Sequence, residues 1–157
     1  MVESGAVHKI ARGLYQAAQS DFSEDESFTA AALQIGTPNA ICLVSALAYY
    51  QLTDAIPKRV WMTVDASKRT SYRSIRLLRT RNPRWNIGID KKERYWITSL
   101  ERTLVDAIIY RNLIGTYVAM EALRKAHKNS TATLGRIVDM SKKLKVYHRC
   151  KSLSERQ

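Results

Sequence analysis

The sequence predicts an α+β fold: a small mixed or antiparallel sheet of about four strands packed with five to six helices, preceded by a β-hairpin. Three observations carry this. Residues 59–65 (RVWMTVD) alternate apolar and polar side chains at the two-residue period of a strand. Residues 94–111 (RYWITSLERTLVDAIIYR) change from a β-prone run to a three- and four-residue apolar period within one turn. Beyond Gly115 the helical period alone persists.

Residues 6–10 and 13–16 are two short strand-like runs around Ala11 and Arg12, with Gly5 and Gly13 allowing the backbone turns. The acidic patch at 21–26 suits a helix N-terminus, because carboxylates there face the positive end of the helix dipole. Residues 28–35 are a short apolar helix ended by Gly36. Thr37, Pro38 and Asn39 start the next helix, since proline is tolerated in a first turn. That helix, 40–52, is apolar almost all round and therefore central, with Ile41, Leu43, Val44, Leu47, Ala48 and Leu52 as buried candidates. Tyr49 and Tyr50 at its end are packing residues.

Pro57 breaks the helical pattern. In the strand at 59–65, Val60, Met62 and Val64 share one face and Trp61 and Thr63 the other. Residues 72–80 (YRSIRLLRT) read as a second strand, with Arg73 and Arg79 on one face and Arg76 on the opposite one. On a helix the three arginines would form a single stripe. Residues 87–89 and 95–97 are strands joined by the charged turn 90–93. Thr98 then caps a helix with Glu101 completing a capping box. Leu100, Leu104, Val105, Ile108 and Ile109 make its apolar stripe. Further helices follow at 117–127, with Val118, Leu123 and Ala126 inward, at 134–144, with Leu134, Ile137, Val138 and Met140 at helical spacing, and at 146–155.

A length of 157 residues makes one domain, or one domain with an appendage, and suffices for a single core. No apolar run reaches the roughly 18–20 residues of a membrane span, and no secretion signal opens the chain, so a cytoplasmic protein without membrane partner is expected. Two cysteines without C-x-x-C spacing fit a reducing compartment; Cys42 reads as core and Cys150 as part of a polar tail. Charge is the informative quantity, at 26 Lys+Arg against 14 Asp+Glu, net +12. It is concentrated in two blocks. Residues 58–94 hold twelve basic and three acidic side chains, and residues 124–157 ten and two, around a nearly neutral apolar stretch. That distribution suits a polyanionic partner.

The phrase ITSLERTLVDAI (97–108) resembles the "TSPERTLVDA" signature in the C-terminal domain of AbiEi-type antitoxins of type IV toxin–antitoxin systems, with Leu100 in place of the usual proline. CLVSALAYYQLTDAIPKRVW (42–61) and AMEALRKAHK (119–128) resemble two further blocks of the family, in the same order, and the resemblance spans roughly residues 5–155. The opening SGAVHKIARGLYQ resembles the β-wing that ends the family's winged helix-turn-helix. On this resemblance residues 1–20 are a remnant wing hairpin and 21–157 the antitoxin domain. The three helices that precede such a wing in the family do not occur in this sequence.

What the resemblance implies is a non-enzymatic antitoxin of an abortive-infection system. It would repress its own operon by binding operator DNA, and it would counteract a nucleotidyltransferase-like toxin as its functional partner. Phosphate contacts are expected from His8, Lys9 and Arg12 at the wing, and from Arg69, Arg73, Arg76, Arg79, Arg81, Arg84, Lys91 and Lys92 in the first basic block. The alternative is a module that binds RNA or an acidic protein, in which Arg84 with Trp85 and Tyr72 with Arg73 stack on single-stranded bases. A further alternative is a metal-dependent nuclease built on Asp65, Asp90 and Glu93 near Lys91 and Lys92. No metal site and no cofactor are expected, because His8, His127 and His148 are scattered and no phosphate loop is present. Arg102 and Asp106, four residues apart on a helix, read as a structural ion pair.

Overall fold

The computed structural model describes residues 7–11, 14–17, 24–129, 132 and 134–154, the backbone alone for 7–11, 14–17 and 151–154. An antiparallel hairpin of β1 (Val7–Ala11) and β2 (Leu14–Ala17) comes first, with Lys9 opposite Tyr15. A five-stranded mixed sheet and seven helices follow among the described residues, one strand and one helix beyond the expected number.

The helix α1 (Glu24–Ile35) has Glu24, Asp25 and Glu26 in its first turn, as the acidic patch predicts, and ends at Gly36, whose φ of +77° suits a residue without Cβ. Asn39 does not start a helix. Its amide donates to the carbonyls of Gly36 at 2.8 Å and Ala32 at 3.4 Å, completing the end of α1. The Thr37–Pro38 peptide is cis, and the chain continues as the two-residue strand β3 (Ala40–Ile41). The predicted 40–52 helix shortens to α2 (Leu43–Tyr49), because Ala40 and Ile41 are taken into the sheet. An almost wholly apolar run carries no periodicity to separate a central strand from a buried helix, which is why the boundary is not readable from sequence. α2 ends with Gln51 in the left-handed region (φ +59°) and the Leu52 N–H on the Leu47 carbonyl, a Schellman closure.

The sheet is completed by β4 (Val60–Asp65), β5 (Ile75–Thr80), β6 (Ile89–Lys91) and β7 (Trp96–Thr98), in the order β5-β4-β3-β7-β6. β4 and β5 are parallel, as are β3 and β7; β3 with β4 and β6 with β7 are antiparallel. Met62, Ile41 and Ile97 therefore line up on one face, where Phe28 and Ala31 of α1 cover them. Phe28 meets Tyr95 edge to face at 5.3 Å, and the Tyr95 hydroxyl donates to Asp25.

Since β5 and β6 are at opposite edges, residues 81–88 must traverse the sheet's full width. They are held to α3 (Leu100–Ile109), whose Arg102 donates to the carbonyls of Trp85 and Ile87. Ser99, not Thr98, caps α3, its hydroxyl accepting from the Arg102 N–H at 3.2 Å. Thr98 is already committed as the last residue of β7, paired with Ile89 and hydroxyl to hydroxyl with Thr103 at 2.7 Å. Leu104, Val105 and Ile108 are buried as predicted, with Leu100 and Ile109 packed beside them.

A short α4 (Arg111–Ile114) leads through Gly115 (φ +99°) into α5 (Thr116–Lys128), then α6 (Leu134–Lys143) and α7 (Tyr147–Ser154). α5 turns Ala119, Ala122 and Ala126 against the buried face of α3, with Val118 and Leu123 half-buried beside them. Of the four apolar residues at helical spacing on α6, Ile137 is buried and Leu134, at its start, is exposed. Cys42 is fully buried, and Cys150, expected in a polar tail, is half-buried against the α3 core.

Candidate nucleic-acid interface

The eight nominated residues whose side chains are described do not form one face. His8 and Lys9 belong to β1, but their side chains, and all of Arg12, lie outside the described residues. Arg69 folds back on its own loop, its guanidinium donating to the carbonyls of Ala66 at 2.8 Å and Lys68 at 2.9 Å. Arg73 is exposed in the turn that precedes β5 rather than within the strand. Arg76 and Arg79 are both exposed and, three residues apart on β5, point to opposite faces of the sheet. The β4–β5 register places Arg76 beside Trp61, with its guanidinium 5.4 Å from the ring centre. Lys91 and Lys92 stand at the other edge, their ammonium groups 5.6 Å over Trp96 and 5.9 Å over Tyr49. Four interstrand steps, about 19 Å, separate β5 from β6. The Arg76/Trp61 and Lys91/Trp96 pairs are cross-strand neighbours brought together by strand register, whereas Lys92 reaches Tyr49 on α2.

Arg81 and Arg84 have a different setting. Both are exposed on the 81–88 crossing. Asn82 organises its first turn: its backbone N–H donates to Thr80 Oγ1 at 3.1 Å, and its carboxamide oxygen accepts from the Arg84 N–H at 2.9 Å. The same carboxamide donates to the Leu144 carbonyl at 3.1 Å, across 62 residues of chain. That bond stitches the first basic block to the second at the corner between α6 and α7. Around it Arg84, Lys145, His148 and Arg149 line an open groove of about 690 Å³, floored by Pro83, Leu144 and Val146. Lys145 is placed there by a left-handed backbone (φ +60°), as the Val146 N–H closes a Schellman turn on the Ser141 carbonyl at 2.9 Å.

Lys145, His148 and Arg149 escaped individual nomination in the sequence. Their signal was the basic character of the 124–157 block, but only a tertiary contact selects which of its side chains line the groove with Arg84. Lys68, by contrast, is engaged within the fold: its ammonium sits 3.2 to 3.4 Å from the carbonyls of Ile35, Gly36 and Thr37 at the end of α1.

Of the carboxylates considered for metal chemistry, Asp65 stands apart from Asp90 and Glu93. Asp65 ends β4, where it accepts from the backbone and hydroxyl of Ser67, and these bonds hold its carboxyl below the usual carboxylate range. Asp90 is on β6, with β3 and β7 between them. Glu93 is exposed in the turn that follows β6. No protein-family model matches the chain, and no curated protein matches it.

Proposed function

We propose that this chain is a non-enzymatic antitoxin domain of the AbiEi type that binds DNA on the groove between residues 82–84 and the α6–α7 corner. The observation that carries the reading is the Asn82–Leu144 bond, which joins two basic blocks far apart in sequence around a groove with Arg84, Lys145, His148 and Arg149 on its walls. Cations on a concave surface focus potential and suit the phosphate backbone, whose neutralisation releases counterions. The net charge of +12 and the ITSLERTLVDAI phrase support the same assignment. In this role the domain works in the cytoplasm, represses its own operon and opposes a nucleotidyltransferase-like toxin.

Fluorescence anisotropy with duplex DNA at several salt concentrations tests the groove. Arg84→Ala with Lys145→Asn, which keeps a residue tolerant of the left-handed backbone, should flatten the log–log salt slope by about 1.8, at about 0.9 per phosphate contact. An unchanged slope removes the groove from the interface. A second reading, single-stranded RNA, is favoured by Trp96, which is 39% exposed beside Lys91 and can stack on a base. Tighter binding of single-stranded RNA than of duplex, lost in Trp96→Ala, selects it.

A further inference from the structure

Away from the basic groove, a second cleft opens between α5, α6 and α7. α6 and α5 each pack on α3 rather than on one another, and the space left between them is a cleft of about 590 Å³. Its walls are Leu123 and Ala126 of α5, Ile137 and Val138 of α6, and Tyr147 of α7, with Ile108 of α3 behind. Ser141 also lines it, yet its hydroxyl is spent on the Val138 carbonyl at 2.7 Å, so the interior offers a ligand little hydrogen bonding. At the rim Arg124 and His127 stand one turn apart on α5, both exposed. Leu134, 77% exposed at the start of α6, extends the apolar lining outward.

An apolar cleft of several hundred Å³ with a few polar groups at one end is the form of a small-molecule site. Here the polar end carries the Arg124 cation and the rest of the lining is mostly apolar. We infer that this cleft binds a long-chain carboxylate, with the alkyl chain between α5 and α6 and the carboxylate on the Arg124 guanidinium. The planar fork of an arginine matches a carboxylate with two parallel hydrogen bonds. The alkyl chain takes the place of water against Leu123, Ile137 and Val138, a gain that grows with each buried methylene. This inference is independent of the polyanion groove, which lies on the other side of the α6–α7 corner residues and shares no lining residue with the cleft.

The cleft also contains its own reporter. Cys150 forms part of its wall and is half-buried, while Cys42, the other cysteine of the sequence, is fully buried. The rate at which Ellman's reagent modifies the intact chain therefore reads access to Cys150. Octanoate, decanoate and dodecanoate, each below its micellar concentration, should slow that reaction. The half-protecting concentration should fall about fourfold per added methylene, the ratio expected for full burial of each group. Arg124→Gln, at an exposed position, should weaken protection by dodecanoate on the order of tenfold and leave protection by dodecanol unchanged. Protection that is absent, or independent of chain length, overturns the site. So does equal loss of dodecanoate and dodecanol in Arg124→Gln. Protection that appears without any carboxylate as protein concentration rises would show that a second copy of the chain occupies the cleft, and overturns it as well.

Discussion

The Nε of Arg102 lies 3.1 Å from each carboxylate oxygen of Asp106, one turn along α3, with both side chains buried. Burial pushes the Asp106 carboxyl up from its ordinary range, and the Arg102 guanidinium opposes that. The same guanidinium binds the carbonyls of Trp85 and Ile87, so one cation ties α3 to the strip that crosses the sheet. Removing one partner strands a charge without water. Asp106→Ala should therefore lower stability by about 3–5 kcal/mol in urea unfolding, and Arg102→Met should be severe as well. The double variant Arg102→Met, Asp106→Leu should recover a good part of the loss, because two apolar side chains leave no buried charge behind. Additive losses would show that the carbonyl bonds to Trp85 and Ile87, rather than the ion pair, dominate.

Gly88 sits where that strip enters β6. Its φ is +76°, and a Cβ built there falls 2.9 Å from both the Arg102 Cβ and the Met140 sulfur. Gly88→Ala combines a left-handed backbone with overpacking against α3 and α6. A loss of about 2–4 kcal/mol is expected in thermal unfolding, the sum of a φ penalty near 1 and an overpacking cost of 1–3. A change under about 0.5 kcal/mol, the size of an ordinary surface substitution, would mean that the crossing strip shifts freely.

Lys68 separates charge from interface. Its ammonium serves three carbonyls at the end of α1, so Lys68→Met should cost about 1 kcal/mol of stability while leaving polyanion affinity where it was. A fall in affinity as large as that of Arg84→Ala would place Lys68 among the phosphate contacts after all. Sequence position offers no guidance here, because Lys68 and Arg84 belong to the same basic block and differ only in what surrounds them.

The contrast generalises. The α+β class, the apolar stripe of α3 and the ion pair at 102 and 106 were legible because each depends on residues within a few positions of one another. β3 was not: two residues of an apolar run become a central strand only when β4 and β7 flank them. The cap moved from Thr98 to Ser99 for the same reason, since the pairing of Thr98 with Ile89 is not local. Among the candidate site residues, Arg84 was nominated for its charge, but its neighbours Lys145, His148 and Arg149 arrive through Asn82 and Leu144. Arg76 and Lys91 were grouped by composition, and the strand order places them at opposite edges.

Acid should expose the turn that follows β4. The hydroxyl and the backbone N–H of Ser67 donate to the Asp65 carboxylate, the latter at 2.7 Å, and together they hold its pKa below the ordinary 3.8. A carboxyl whose folded pKa is depressed contributes stability that is present above the unfolded pKa and is lost as pH falls through the folded one. Wild type should therefore exceed Asp65→Ala in unfolding midpoint at neutral pH, and the difference should shrink below pH 3.8 and disappear once the folded carboxyl is protonated. Ser67→Ala should show a smaller version of the same convergence, because it keeps the backbone donor. A wild-type advantage that persists undiminished in acid would mean that Asp65 acts through something other than its charge. The turn leads directly to Lys68 and hence to the end of α1, so its loss should also loosen the helix that covers Met62, Ile41 and Ile97.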